Sequence, residues 1–105
     1  MIIVERTYTP KAGVSGLVSL LKSVNDQNTK NDMPQLKIYR KFLGSHGVIV
    51  TIQEWDSLES YNRSRTVVRE IESSTGLFKK IYPLLDKTHE TSILEEVQTL
   101  CNVMN

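Results

Sequence analysis

Cysteine is nearly absent from this chain of 105 residues, which contains it only at Cys101. One cysteine forms no intrachain disulfide, so the sequence excludes a disulfide-stapled secreted scaffold and favours a reduced, cytoplasmic setting. The two histidines, His46 and His89, lie far in sequence from each other and from Cys101, which gives no recognisable zinc spacing. We therefore expect no metal site. We also expect Cys101 to be inert, because no thiolate-activating residue lies beside it.

Glycine and long apolar runs are also scarce. The chain has five glycines, and two of them flank the turn Gly44–Gly47. This turn joins two predicted strands and does not open a helix, so it is not a phosphate-binding loop, and we expect no cofactor. The opening Met1–Val4 is too short an apolar run for a signal peptide, and no stretch approaches the length of a membrane span.

An excess of charge of either sign is missing too. The chain has 13 basic and 12 acidic residues, for a net charge of +1. A protein that tracks phosphates normally has a marked basic excess, so a nucleic-acid partner is not expected. The contents of 39% hydrophobic and 24% charged residues are those of a globular protein. At this length we expect a single domain, residues 1–105.

Runs of β-branched residues alternate along the chain with apolar residues at helical spacing. The first pattern predicts strands and the second predicts helices, separated by polar or glycine-containing turns. The stretch Asn25–Pro34 is almost wholly polar and is predicted to be a loop, and His46 is predicted to be exposed in the turn between two strands. The predicted strands are 2–9, 36–43, 48–55 and 88–97, and the predicted helices are 14–28 and 57–73, with a short helical piece at 77–86.

This order, β-α-β-β-α-β, predicts an α+β, ferredoxin-like fold with a four-stranded antiparallel sheet. Right-handed crossovers place strands one and three at the centre, with both helices on one face and the other face bare. Neither face of strand three alternates apolar with charged residues: one carries Val48, Val50 and Ile52, and the other runs from Ile49 to Trp55 without a charge. An open apolar face of this size predicts a homodimer, sheet against sheet.

Three stretches resemble the NIPSNAP-like branch of the dimeric α/β-barrel superfamily: "RTYTPKAG" from Arg6, "WDSLESY" from Trp55, and the weaker "LFKKIYPLL" from Leu77. Ala12 and Glu5 depart from the family pattern. The resemblance implies two four-stranded sheets forming a barrel, with a cavity in each half. It also implies relatives as varied as cofactor-free monooxygenases, haem-degrading enzymes and small isomerases, among which a fold alone does not choose. Haem-degrading relatives use a histidine on helix two, and this helix has none.

Strand one brings the first candidate site residues, since Arg6 and Tyr8 share one of its faces. A central strand does not hide an unpaired charge cheaply. Arg6 therefore either reaches a cavity, where it anchors the anion or carbonyl of a small acid, or forms an internal ion pair with Glu54 or Glu90. Ion-pair networks also produce such charges, so the sequence leaves both readings open.

The other candidates lie on strands three and four. Trp55 either stacks on a flat ligand or plugs the end of the sheet, and aromatic residues more often pack. Thr51 and Gln53 are polar on a face predicted to be enclosed, so they need partners in the protein, in water or in a ligand. His89 opens strand four, where it is a candidate acid or base, although no orienting carboxylate is visible in sequence.

These observations favour a small-molecule-binding protein with one cavity per subunit, between sheet and helices, for a small apolar or aromatic acid. Two alternatives stay open: a cofactor-free monooxygenase or isomerase-like enzyme, and a purely structural dimer module. RNA-recognition motifs share the strand and helix order, but they carry a basic-glycine-aromatic run on strand three that is missing here. RNA binding is therefore the reading least favoured.

Overall fold

Four antiparallel strands form one sheet in the order β2-β3-β1-β4 in the computed structural model, which describes residues 1–42 and 47–97. As predicted, β1 and β3 occupy the centre, and the α+β, ferredoxin-like fold is confirmed. The predicted exposure of His46 and the predicted inertness of Cys101 lie outside the described residues. The strands are β1 (Ile2–Tyr8), β2 (Lys37–Arg40), β3 (Ile49–Trp55) and β4 (Glu90–Glu95).

Three α-helices and a 3₁₀ turn complete the fold. α1 is longer than predicted and includes the first part of the stretch Asn25–Pro34 expected to be a loop. The reason is that its buried stripe does not end with the apolar Leu21 and Val24 but continues one turn further to the buried Asn28. The helices are α1 (Ser15–Lys30), α2 (Leu58–Thr75) and α3 (Leu77–Ile81), followed by the 3₁₀ turn Tyr82–Leu84.

The helix-facing side of the sheet is the side that carries the candidate residues. The β1–β3 register places Arg6 opposite Thr51 and Val4 opposite Gln53. Val4, Thr51 and Gln53 are all buried beneath the chain's own helices. The uncharged face of β3 that runs to Trp55 is therefore not an open surface, and it does not supply the dimer contact that its lack of charge suggested.

Two hydrophobic clusters hold the helices against the sheet. The larger joins α1 and α3 to the sheet around Tyr8, Leu21 and Ile81. The smaller joins α2 to the sheet through Tyr61, which packs on Ile2 and Val4. The smaller cluster therefore anchors α2 to the sheet near the start of the helix.

The open face of the sheet mixes apolar and charged side chains. Tyr39 and Leu94 are 48% and 47% exposed there, and Ile52 is half-buried. Glu5 lies among them on the central strand, beside Ile52 in the register. Side chains alternate between the two faces along each strand, and the helices cover the other face. The apolar residues of the open face are Ile3, Tyr39, Val50, Ile52 and Leu94.

Within residues 1–42 and 47–97, none of the helices has the length and the apolar content to cross a bilayer.

Candidate functional site

A cleft of about 700 Å³ lies between α2, the α3 region and the strands β1 and β4. A volume of this order is typical of sites that enclose a small molecule. Arg6 of β1 and Thr91 of β4 contribute from the sheet, His89 comes from the segment just before β4, and the remaining wall comes from α2 and from the segment 78–82. The lining residues are Arg6, Tyr61, Arg65, Val68, Arg69, Glu72, Ser73, Phe78, Lys79, Tyr82, His89 and Thr91.

Helix α2 supplies the longest wall. It begins at the N-cap Ser57, whose hydroxyl accepts a hydrogen bond from the Ser60 amide at 3.1 Å. The stripe through Tyr61, Ser64 and Val68 faces the protein. Leu58, whose three-residue spacing from Tyr61 predicts an inward-facing side chain, is instead 48% exposed in the first turn.

Arg6 is half-buried at one end of the cleft. Its guanidinium donates a hydrogen bond to the Tyr61 hydroxyl at 2.9 Å. The expected carboxylate partners are engaged elsewhere, Glu54 with Lys37 at 3.9 Å and Glu90 with Lys87 at 3.4 Å. Among the described residues no ion pair includes Arg6, so the internal ion pair that competed with the cavity reading is not formed there.

The wall of the cleft has a surplus of positive charge. Arg6, Arg65, Arg69 and Lys79 line it, and none of the ion pairs between described residues includes any of the four. Glu72 is the one carboxylate in the lining, and its two oxygens accept the backbone N–H groups of residues 78 and 79 at 3.0 and 3.1 Å. The cleft therefore attracts anions although the whole chain is nearly neutral.

His89 lies in a stack of three rings. Its imidazole is 5.2 Å from the Tyr8 ring and 5.8 Å from the Tyr82 ring, with the latter pair nearly parallel. Burial, followed by the positive charges of Arg6 and Arg65, lowers the pKa of His89 below its ordinary 6.5. No described residue is a hydrogen-bond partner for its buried Nδ1 atom, so an added proton there would be unsatisfied. The imidazole is therefore neutral at pH 7.

Tyr8 lies on the other side of His89 and is almost fully buried. Burial raises the pKa of its phenol above the usual 10.0, against a smaller opposing effect of the Arg6 charge. The phenol is therefore protonated at all physiological pH values. It supports the imidazole ring of His89 and lines a second, small cavity of about 50 Å³.

Gln53 and Trp55 also line the small cavity, which Arg6 and Tyr61 share with the large cleft. Both ends of the Gln53 amide are engaged: Nε2 donates to the Pro34 carbonyl at 2.7 Å, and Oε1 accepts from Trp55 Nε1 at 3.0 Å. The Trp55 ring meets Tyr61 edge to face at 5.8 Å. The polar groups of both side chains therefore have hydrogen-bond partners within the protein, as expected if Gln53 and Trp55 serve packing rather than ligand binding.

Of the six candidates, the structure therefore brings Arg6 and His89 to the large cleft. Tyr8, Gln53 and Trp55 line the small cavity behind it. Thr51 is 1% exposed and lines neither of the two.

Several lining residues were not candidates from sequence. Arg65 gives a signal in the sequence, because it is a charge at helical spacing with the apolar residues Tyr61 and Val68. The same spacing predicts an inward-facing Tyr61 but not a role in a site. Arg69 gives no such signal, because it alternates with Glu70 and Glu72 in the mixed charge that is typical of a solvated helix face. Phe78 and Tyr82 belong to a short helical piece whose position over the sheet is a property of the tertiary fold, so no local pattern identified them.

Within the described part of the chain, His, Cys, Asp and Glu side chains form no group of three able to hold a metal ion. The chemical groups that the cleft does offer are guanidinium, ammonium, phenol and imidazole.

Comparison with known proteins finds similarity in structure. No protein-family model and no curated protein sequence matches the chain. A NIPSNAP family protein of unknown function from Agrobacterium tumefaciens matches with a TM-score of 0.75 at 20% identity, over 93% of this chain and 89% of that one. An uncharacterised NIPSNAP-like domain protein from Burkholderia xenovorans matches with 0.73 at 18%, over 91% and 84%. An antibiotic biosynthesis monooxygenase matches with 0.60 at 15%, over 93% and 100%.

At these identities the matches establish the fold. The chain has the ferredoxin-like fold of NIPSNAP family proteins, which confirms at the level of the fold the resemblance seen in the three sequence stretches. The NIPSNAP structures are themselves described as uncharacterised or of unknown function, so a function for this chain has to be argued from its own cleft.

Proposed function

We propose that the protein binds a small acid with an apolar or aromatic body in the cleft between α2 and the sheet. The observation that carries the proposal is Arg6, a half-buried guanidinium that lines a cleft of about 700 Å³ and has no carboxylate partner among the described residues. A charge removed from water in this way is costly unless a counterion reaches it. A bound carboxylate supplies that counterion.

The geometry of a guanidinium supports this assignment. The group has five N–H donors, and the Tyr61 hydroxyl accepts from only one nitrogen, Nη2. The remaining donors suit the two oxygens of a carboxylate, which arginine binds in a bidentate manner. The rings of Phe78 and Tyr82 lie on the wall of the same cleft and provide apolar contact for the body of the acid.

The six residues named from sequence take different roles in this proposal. Arg6 binds the anion, and His89 contacts the ligand from the same sheet side of the cleft. Tyr8 holds His89 in place through its ring, at 5.2 Å. Gln53, Trp55 and Thr51 shape the floor beneath Arg6 without touching the ligand.

A thermal-shift screen tests the proposal. The panel contains aromatic and aliphatic monocarboxylates, their neutral amides, quinones and haem. A ligand present at 100 times its Kd stabilises the folded state by about 2.7 kcal/mol, which raises the melting temperature of a domain of this size by several degrees. We expect shifts from acids and none from the matched amides. Equal shifts from acid and amide, or no shift from any acid, would count against an anion site.

The proposal includes a homodimer formed through the open face of the sheet. Its support is the set of apolar side chains on that face, among which Tyr39 and Leu94 are about half exposed. Apolar side chains gathered on one face of a sheet are typical of an interaction surface, and a two-fold axis lets one patch cover its own copy. The cleft lies on the opposite side of the sheet, so both copies keep an accessible site.

A second candidate function is catalysis without a cofactor, of the isomerase or oxygenase kind. It is favoured by a neutral His89 in the same cleft as Arg6, since the imidazole could accept a proton from a carbon acid while the guanidinium stabilises the enolate. One similar structure is an antibiotic biosynthesis monooxygenase, which shares the fold. The test is deuterium exchange into an aromatic 2-oxo acid such as phenylpyruvate in D₂O. Catalysis predicts exchange above the buffer rate that His89→Gln removes while binding persists, and exchange at the buffer rate would exclude it for this acid.

A further inference from the structure

The cleft is elongated along the axis of α2. Tyr61 and Glu72 both line it and lie about three helical turns, or roughly 16 Å, apart along that axis. Val68 lies between them on the same wall, and Phe78 and Tyr82, with ring centroids 6.2 Å apart, stand on the neighbouring wall. The middle of the cleft is therefore apolar, and a ligand that fills it lies parallel to the helix.

One group of cations marks the end at Tyr61. The Arg6 guanidinium is hydrogen-bonded to the Tyr61 hydroxyl, and the Arg65 guanidinium lies over the Tyr61 ring, 5.8 Å from its centroid. These two positive charges are held by the same phenol. They define a first anion position at the inner end of the cleft.

A second group of cations marks the other end. Arg69 follows Tyr61 on the helix by about two turns, or roughly 12 Å. Lys79 lies next to Glu72, whose carboxylate accepts its backbone N–H at 3.1 Å. That carboxylate is already occupied by two backbone donors, and no ion pair within residues 1–42 and 47–97 includes Arg69 or Lys79. These two positive charges therefore face the cleft without a neutralising partner in that part of the chain.

We infer that the ligand is an elongated dianion, with one anionic group held by Arg6, a second held by Arg69 and Lys79, and an apolar middle. This deepens the proposed function and rests on it, because the first anion position is the one proposed above. Long-chain dicarboxylates and aryl dicarboxylates have this chemistry. A monocarboxylate would satisfy the inner cations and leave the outer pair unused.

Calorimetric titration with matched acids tests this inference. The ligands are α,ω-dicarboxylates from hexanedioate to dodecanedioate, each compared with the monocarboxylate of the same chain length. The variants are Arg69→Gln and the double variant Arg69→Gln, Lys79→Gln. Arg63→Gln is the control, since it removes the same charge from the same helix at an exposed residue that is paired with Glu59.

We expect the longer dicarboxylates to bind about fivefold or more tightly than their monocarboxylates, as the exposed ion pairs at the outer end allow. The double variant should bring that ratio to about one, because it lowers the dicarboxylate affinity more than the monocarboxylate affinity, and Arg63→Gln should keep the ratio. A ratio near one in the natural protein, or a preference that survives the double variant, overturns the inference. If monocarboxylates still bind in that case, the proposed function stands. If no acid of either series binds, both fall. Because Arg69 and Lys79 are exposed, the variants are expected to fold, and an unchanged melting temperature verifies this.

Discussion

At the scale of single residues, the cleft contains a histidine that is kept neutral by its surroundings. His89 is stacked between two tyrosines and faces the positive charges of Arg6 and Arg65, and burial together with these charges lowers its pKa. The sequence identified His89 as a titratable candidate, because histidine is the one side chain that ordinarily titrates near pH 7. It could not show the direction of the shift, because that direction depends on two tyrosines and two arginines that only the fold assembles.

The lowered pKa predicts a specific loss of stability in acid. Below pH 6.5 the unfolded chain binds a proton at His89 that the folded protein resists, so the free energy of unfolding falls as the pH decreases through 6.5 toward the folded-state pKa. His89→Gln removes this dependence. Urea unfolding at a series of pH values from 7.5 to 5 measures this dependence. The natural protein and the variant have the same carboxylates, so the difference between their free energies of unfolding reports the titration of His89 alone. A constant difference across that range would contradict the lowered pKa.

At the scale of elements, sequence patterns identified each strand and helix but not how α2 joins α3. α2 ends at Gly76, which has the left-handed φ of 62° that glycine adopts without strain. Glu72 then folds its carboxylate onto the start of α3, and this contact fixes the angle between two walls of the cleft. A glutamate in the last turn of a helix reads as unfavourable in sequence, since it opposes the helix dipole. Glu72 is stabilising here because its carboxylate accepts hydrogen bonds from the free backbone N–H groups at the start of α3.

Glu72→Ala should therefore destabilise the protein, by about 1–2 kcal/mol, because it leaves two backbone donors of α3 without their charged acceptor. Denaturant unfolding measures the loss. The matched control is Glu70→Ala, an exposed glutamate of the same helix, which should change the free energy of unfolding by less than about 0.5 kcal/mol. Equal effects of the two substitutions would mean that the Glu72 contact does not hold α3.

At the scale of the whole molecule, the sequence predicted the fold but did not predict which face of the sheet the helices cover. The strand and helix order and the central position of β1 and β3 followed from the pattern and from crossover handedness. One face of β3 carries the apolar Val48, Val50 and Ile52 and the other is uncharged from Ile49 to Trp55, so the alternation did not reveal which face the helices cover. The register does: Thr51 and Gln53 face the helices, and Val50 and Ile52 face outward.

The proposed dimer therefore depends on the face that carries Val50. Val50→Lys places a charge between Thr7 and Tyr39, its neighbours in the register, where a sheet-to-sheet contact would bury it. We expect sedimentation to give the mass of two chains for the natural protein at micromolar concentration and of one chain for the variant. Asn62→Lys, which adds the same charge to the exposed side of α2, should remain dimeric. A natural protein with the mass of one chain would exclude the dimer.

The central claim is that Arg6 binds the anionic group of a small acid, and the affinity of one acid for the Arg6→Met protein tests it most directly. Calorimetric titration of the best monocarboxylate from the screen should show about a tenfold or greater loss of affinity, as expected for a charge-assisted hydrogen bond. Arg63→Met should bind like the natural protein, and Arg6→Lys, which keeps the charge without the forked donors, should lie between the two. An affinity that is unchanged in Arg6→Met, with the variant folded by its melting temperature, would contradict the account.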